Sequence, residues 1–457
     1  MKRPFIRAKQ ALLYCILITV LGLACAQAEQ IPQQVQVQSS FEGMLSIRAE
    51  VDPSTDYRGF EVLVAGDNAG EPDTLGYAVT DSTGSFSMQV IAPRRGVYRL
   101  IISRLGQIQA SGQMAIAEGD SASLVAAFPL HGRSLRVRSA ENASLQAYQN
   151  IRTQHEQALV ELVQSEVYDE EEVRTRVSQT TMILWNLQQT FPNSMGAELA
   201  VAESILMGTG WDDSVAVARM QQLPPSNRRY GDAARAARKA KARLGGQSAA
   251  LALLDDLMER AVTDLQRAEI ASERVLAHID SMEFDAALSA TETMQDDFEG
   301  TQWAIWAERA AYEVQNLLPG MEAPAFAVRE VNGDSLRLQD LRGRHVVLEF
   351  YRPEDDLYQR ELPGRNDMIE VLGANQIEVV SISMQPDTLV NEAFFEERDV
   401  PGRHVYGGQE VAQKYNINVL PTRYLIDPEG NLVNKYVGGT MAALHEYLMG
   451  ILEQQEQ

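Results

Sequence analysis

Cysteine is almost missing from this chain of 457 residues: Cys15 and Cys25 are the only two, and both precede Ala26. That placement excludes a disulfide framework or a thiolate metal site anywhere in the later sequence. Basic residues are in deficit, 40 Lys and Arg against 63 Asp and Glu, for a formal charge of −23. Phosphate attraction and counterion release therefore work against non-specific binding to nucleic acid, and none is expected. The apolar run Ala11–Ala24 falls short of the roughly 20 residues that a membrane-spanning helix needs. There is no P-loop, no G-x-S-x-G elbow, no G-x-G-x-x-G and no H-E-x-x-H. The histidines (His131, His155, His278, His345, His404 and His445) are scattered without ligand spacing, so neither a metal site nor a cofactor is expected.

What the chain does contain is enough apolar residue, 45%, for packed cores, and enough length for about three domains of roughly 150 residues. Residues 1–28 read as an export signal. Lys2, Arg3, Arg7 and Lys9 precede the apolar run, and Ala26-Gln27-Ala28 offers an A-x-A cut before Glu29. Two other readings stay open. One is cleavage before Cys25 with lipidation there, although Gly22 stands where Leu is usual. The other is a retained anchor. Either cut leaves no thiol pair in the mature protein. The location expected is the periplasm or cell envelope, with membrane attachment only through a lipid on Cys25.

Residues 29–139 read as β. Leu45-Ser46-Ile47-Arg48-Ala49, Phe60-Glu61-Val62-Leu63-Val64 and Ser85-Phe86-Ser87-Met88-Gln89-Val90 alternate apolar with polar, and Asp52-Pro53, Gly66-Asp67-Asn68 and Asp81-Ser82-Thr83-Gly84 supply turns. An antiparallel sandwich is predicted. Residues 140–317 change to helical periodicity. Asp169 followed by Glu170, Glu171 and Glu172 predicts a capped helix start, and the segment from Asp285 to Leu317 a helical hairpin. The basic run Arg228, Arg229, Arg235, Arg238, Lys239, Lys241 and Arg243 reads as a solvated helix face or a contact with an acidic neighbouring domain, with an anion or partner site as the alternative. Asn142-Ala143-Ser144 matches the glycosylation triplet, which is common by chance.

Residues 318–457 alternate strand and helix. Strands are predicted at His345–Tyr351, Ile377–Met384, Arg423–Ile426 and Leu432–Val437, and helices at Asp355–Leu372, Leu389–Arg398, Gln409–Tyr415 and Met441–Leu452. This is a mixed sheet covered by helices, which makes the whole a multidomain α+β chain. Here Met321-Glu322-Ala323-Pro324-Ala325-Phe326, Leu338-Gln339-Asp340-Leu341-Arg342-Gly343-Arg344 and the strand ending Glu349-Phe350-Tyr351 resemble the entry to a thioredoxin-like domain of the TlpA or AhpC/TSA (redoxin) family. Val419-Leu420-Pro421-Thr422-Arg423-Tyr424-Leu425-Ile426-Asp427 is similar to that family's segment around its cis-proline.

The resemblance implies thiol-disulfide oxidoreductase or peroxiredoxin-like activity, with a C-x-x-C opening the helix after the first strand. Those two positions fall at Asp355 and Tyr358. A helix N-terminus lowers a thiol's pKa, and exchange needs a second thiol to resolve the intermediate. A carboxylate and a phenol do neither. The expectation is therefore a protein without catalytic residues. Its groove, flanked by Asp355, Tyr358 and Pro421, would bind an extended peptide or protein partner of the envelope. The alternative keeps an enzyme that borrows a partner's thiols. The acids Glu354, Asp355 and Asp356 read as a solvated helix start rather than a cation site.

Overall fold

The computed structural model describes residues 36–455 apart from 54, 69–70, 133, 165–168, 373–376, 397, 399 and 440. The expected signal segment, with Cys15, Cys25 and both candidate cleavage sites, lies outside the described residues.

Alternating side chains become two facing sheets. The strands are β1 (Val37–Ile47), β2 (Phe60–Asn68), β3 (Glu71–Val79), β4 (Ser85–Ala92), β5 (Gly96–Arg104), β6 (Gln107–Ile116), β7 (Ser121–Phe128) and β8 (Val137–Arg138). They run in the orders β4-β1-β7-β8 and β3-β2-β5-β6. Inward residues Phe41, Leu45, Val62, Val64, Phe86, Val90, Leu100 and Ile102 fill the space between the sheets. The sandwich departs from the antiparallel expectation at one pair, since β1 and β7 are parallel. Gly43 makes that pair possible in its tight form: a Cβ there would lie 2.1 Å from the Leu124 carbonyl oxygen and 2.7 Å from the Phe86 ring.

Helices follow at α1 (Ala140–Gln164), α2 (Glu170–Thr190), α3 (Met195–Gly208), α4 (Asp213–Gln222), α5 (Tyr230–Arg260) and α6 (Asp264–Asp280). The predicted cap at Asp169 is present, its carboxylate accepting from the Glu172 N–H at 2.7 Å. Gly246, at φ +79°, interrupts α5 with a kink. The basic run is largely neutralised by local acids. Arg229 meets Glu203 and Asp232, Arg235 and Arg238 share Glu273, and Arg243 pairs with Asp213. These acids stand in the helical segment itself and not in a neighbouring domain, and they engage four of the seven cations. Asn142 is 4% exposed, and its amide exchanges two hydrogen bonds with the Ala115 backbone, so the triplet is an interior helix start and no acceptor for a glycan.

The chain divides into two compact units between Glu273 and Arg274, inside α6. The second unit carries the hairpin α7 (Phe284–Asp297) and α8 (Gln302–Asn316), a short β9–β10 ribbon (Ala327–Arg329, Ser335–Arg337), and then β11 (His345–Tyr351), α9 (Asp356–Leu372), β12 (Ile377–Ser383), α10 (Thr388–Glu396), β13 (Arg403–Tyr406), α11 (Gln409–Lys414), β14 (Thr422–Ile426), β15 (Leu432–Val437) and α12 (Met441–Gln455). The five strands order as β13-β12-β11-β14-β15. β11, β12 and β13 are parallel, and β14 and β15 run antiparallel to their neighbours. This is the mixed, helix-covered sheet of a thioredoxin-like domain. One face of β11 (Val346, Leu348, Phe350) packs into a core with Tyr415 and Tyr424, and the other carries Val347 against Met368, Leu444 and Leu448. Among the described residues no helix is long and apolar enough to cross a membrane.

Candidate functional site

In parallel-sheet folds, ligands gather at the carboxyl ends of the strands, where loops enter helices. Here β11 ends at Tyr351, and the loop Arg352-Pro353-Glu354-Asp355 leads into α9. The Asp355 carboxylate accepts from the N–H of Leu357 at 2.8 Å and of Tyr358 at 3.2 Å. It therefore caps the helix and occupies the donors that a thiolate at this seat would need. The neighbouring acid Glu354 accepts from Gln385 Nε2 at 2.7 Å, and among the described residues no group of acids, histidines or cysteines is arranged to hold a metal ion.

Tyr358 does not flank an open groove, as the sequence reading expected. It is fully buried, stacked on Tyr351 with ring centroids 4.2 Å apart and close to Phe394. One turn into α9, its side chain faces the sheet, because Leu362, Arg365 and Met368 continue the same buried stripe. Its hydroxyl donates to Glu349 Oε1 at 3.2 Å.

Glu349 anchors a buried cluster that the sequence reading missed. Arg365 Nε (3.0 Å), Ser381 Oγ (3.0 Å) and the Tyr358 hydroxyl reach Oε1, while Arg423 Nε reaches Oε2 at 2.7 Å. Arg423 extends on to Glu361 at 2.8 Å. Burial alone would raise the Glu349 pKa, but Arg365 and Arg423 outweigh it and hold the carboxyl at about 2. Burial pushes the Tyr358 phenol well above its ordinary value, and the Glu349 charge adds to that. Burial also raises Glu361, with Arg423 opposing it. At neutral pH the cluster holds Glu349 ionised and Tyr358 neutral, and Glu349, Arg365, Arg423, Ser381 and Tyr358 are all sealed from water. A signal for it existed in the sequence: Glu349 and Arg423 each fall among mostly apolar residues of a strand, and a charge in such a place needs a partner.

The Leu420–Pro421 peptide is cis, as the family resemblance implied. Pro421 itself is buried and its carbonyl already accepts from the Gly438 N–H at 2.8 Å. Leu420, only partly buried, has no hydrogen-bond partner for its N–H or C=O among the described residues. The open backbone thus sits one residue before the proline.

On the core face, at the same end of the sheet, lies a cleft of about 320 Å³. Met384, Ala412 and Ile417 give it apolar walls, and Arg309, Gln409, Gln413 and Asn416 give it polar ones. Met384 follows β12 and donates its N–H to the Tyr351 carbonyl. Arg309 comes from α8, which is held in place by the Tyr312 hydroxyl on the Lys414 carbonyl at 3.0 Å and by Asn416 Nδ2 on the Arg309 carbonyl at 3.2 Å. Of the three residues singled out from sequence, none lines this cleft.

A sequence profile of the AhpC/TSA family matches residues 319–435. Among individual proteins, the thiol-disulfide oxidoreductase ResA of Oceanobacillus iheyensis is 32% identical over 143 residues, covering 30% of this chain and 74% of its own. The ResA of Bacillus subtilis is 28% identical over 137 residues, covering 29% of this chain and 76% of its own. The crystal structure of a putative thiol:disulfide interchange protein DsbE from Chlorobium tepidum superposes with a TM-score of 0.28 at 23% identity, covering 30% of this chain and 98% of that one.

Proposed function

This chain belongs to the AhpC/TSA family through its C-terminal domain, a thioredoxin-like domain of the thiol-disulfide oxidoreductase type, and from that premise we propose that it is an exported, redox-inactive member that holds an extended peptide or protein segment. The observation that carries this reading is the occupation of the helix start. Asp355 satisfies the N–H groups of Leu357 and Tyr358, and Tyr358 is tied into the core through Glu349. Neither side chain attacks or resolves a disulfide. What remains is a binding surface. The unpaired backbone at Leu420, beside the cis-proline, offers one N–H and one C=O to a strand-like ligand, the mode by which extended peptides add to exposed backbone. Export is supported by the basic start, the apolar run and Ala26-Gln27-Ala28, with Cys25 as the alternative lipid attachment point.

The relatives are named as oxidoreductases, so the test is direct. Reduction of insulin by dithiothreitol should run no faster with the purified protein than without it. Acceleration that survives prior alkylation of the protein would overturn the inactive reading and favour an enzyme acting on borrowed thiols.

A further inference from the structure

The cleft beside the proline loop has a chemistry of its own. Its lips are continuous with both parts of the family site. On one side Met384 is bonded to Tyr351, and the next residue, Gln385, is bonded to Glu354 at the helix start. On the other side Ile417 lies three residues before Leu420, and both pack on the same core. A ligand strand paired to Leu420 therefore has an adjoining cavity on the α8 side, of a volume in the range of small-ligand sites.

The one charged side chain lining it is Arg309, which is exposed and has no ion-pair partner among the described residues. Two acids of the surrounding elements are already engaged: Glu313 with Lys435 and Asn416, and Glu410 with Lys414. The Gln413 and Gln409 side-chain amides, also without partners among the described residues, add neutral donors beside the guanidinium. A planar cation, side-chain amides and apolar walls lining one cleft match a carboxylate at the end of, or projecting from, a short apolar segment.

We propose that this cleft recognises a carboxylate on the extended peptide, with Arg309 as the recognition group. The inference rests on the peptide-holding reading above and specifies which peptides it selects.

The test uses the full chain and three fluorescein-labelled eight-residue peptides of valine, serine and threonine, followed by fluorescence anisotropy. One peptide ends in a free carboxylate, one in an amide, and one is an amide carrying a single internal glutamate. At least tenfold tighter binding of a carboxylate-bearing peptide than of the neutral amide is expected. The free-end and internal-glutamate peptides distinguish a terminal from a side-chain carboxylate. Arg309→Gln should reduce the preferred peptide to the affinity of the neutral one and leave the neutral one unchanged, while Arg337→Gln, an exposed arginine on β10, should change neither. Equal affinity for all three peptides, or an unchanged preference in Arg309→Gln, overturns the carboxylate site and leaves peptide holding intact. Absence of binding by every peptide overturns both. An unaltered thermal midpoint for Arg309→Gln, expected for an exposed residue, separates lost recognition from lost folding.

Discussion

Arg423 on β14 stands directly across from Glu349 on β11, and its Nε meets Glu349 Oε2 at 2.7 Å with neither side chain exposed. The pair places a full positive and a full negative charge inside the buried part of the sheet. Such a pair is sustained by further hydrogen bonds, here from Arg365, Ser381 and Tyr358. It also ties α9 to β11 and β14, so the helix start that carries Asp355 and Tyr358 is fixed from below.

Removing one partner leaves the other charge buried without compensation. Arg423→Leu should therefore destabilise the protein by about 3–5 kcal/mol, read from urea unfolding of the C-terminal unit's signal. Replacing a rim pair such as Arg342–Glu322 should cost well under ~1 kcal/mol. Comparable effects for the two would show that the buried cluster is not the structural tie described.

Two carboxyls should give opposite pH slopes. Glu349 has a folded-state pKa lowered to about 2, so its contribution is present above the ordinary value near 4.5 and is lost as pH falls from there toward 2. Glu269 on α6 is raised to about 7, by burial first and then by Asp232, with Arg235 opposing. Between pH 4.5 and 7 the folded form keeps a proton that the unfolded chain has released. Stability from this group is therefore full below pH 4.5 and falls as pH rises through 7. Thermal midpoints across pH 2–8 should show an acid limb removed by Glu349→Gln, at the cost of a lower plateau. A shallower decline between pH 5 and 7 should be flattened by Glu269→Gln. A midpoint that stays constant from pH 5 to 7 in the unmodified protein would contradict the second assignment.

If Asp355 occupies a thiolate's seat, a cysteine placed there should be reactive. With Cys15 and Cys25 changed to serine, Asp355→Cys should be alkylated by iodoacetamide with an apparent pKa below the ordinary ~8.5, because the freed N–H groups of Leu357 and Tyr358 then face the sulfur. An apparent pKa at or above the ordinary value would mean that the helix start does not present those donors.

Much of this was readable from local pattern. His345–Tyr351 was read as one buried strand and is β11 with the same ends, since an unbroken apolar run with β-branched residues has few other uses in a short segment. The cis peptide at Pro421 followed from the motif around it. The cap at Asp169 followed from a short polar residue before three acids. Tyr358 was misplaced because its position in the motif says which turn of helix it occupies, not which way the side chain turns. Its ring faces the sheet because Tyr351 and Phe394 complete an aromatic stack there. Arg309 could not have been found by motif at all. It belongs to a helix read as part of the central segment, and it meets Met384 and Ile417 only through folding. Tyr312 on Lys414 and Glu313 with Lys435 place α8 in the C-terminal unit, although the sequence reading put residues 140–317 in the helical segment.

By itself the sequence determined that no cysteine follows Cys25, and that strand, helix and turn occur in a thioredoxin-like order. Composition and period are properties of neighbouring residues along the chain, so they survive without coordinates. Only the tertiary structure decided that Asp355 spends its charge on its own helix, that Tyr358 is sealed over Glu349, and that Arg309 opens onto the cleft near the proline loop. Each of these depends on which distant side chain supplies or withholds a partner, and that is settled by packing rather than by spacing.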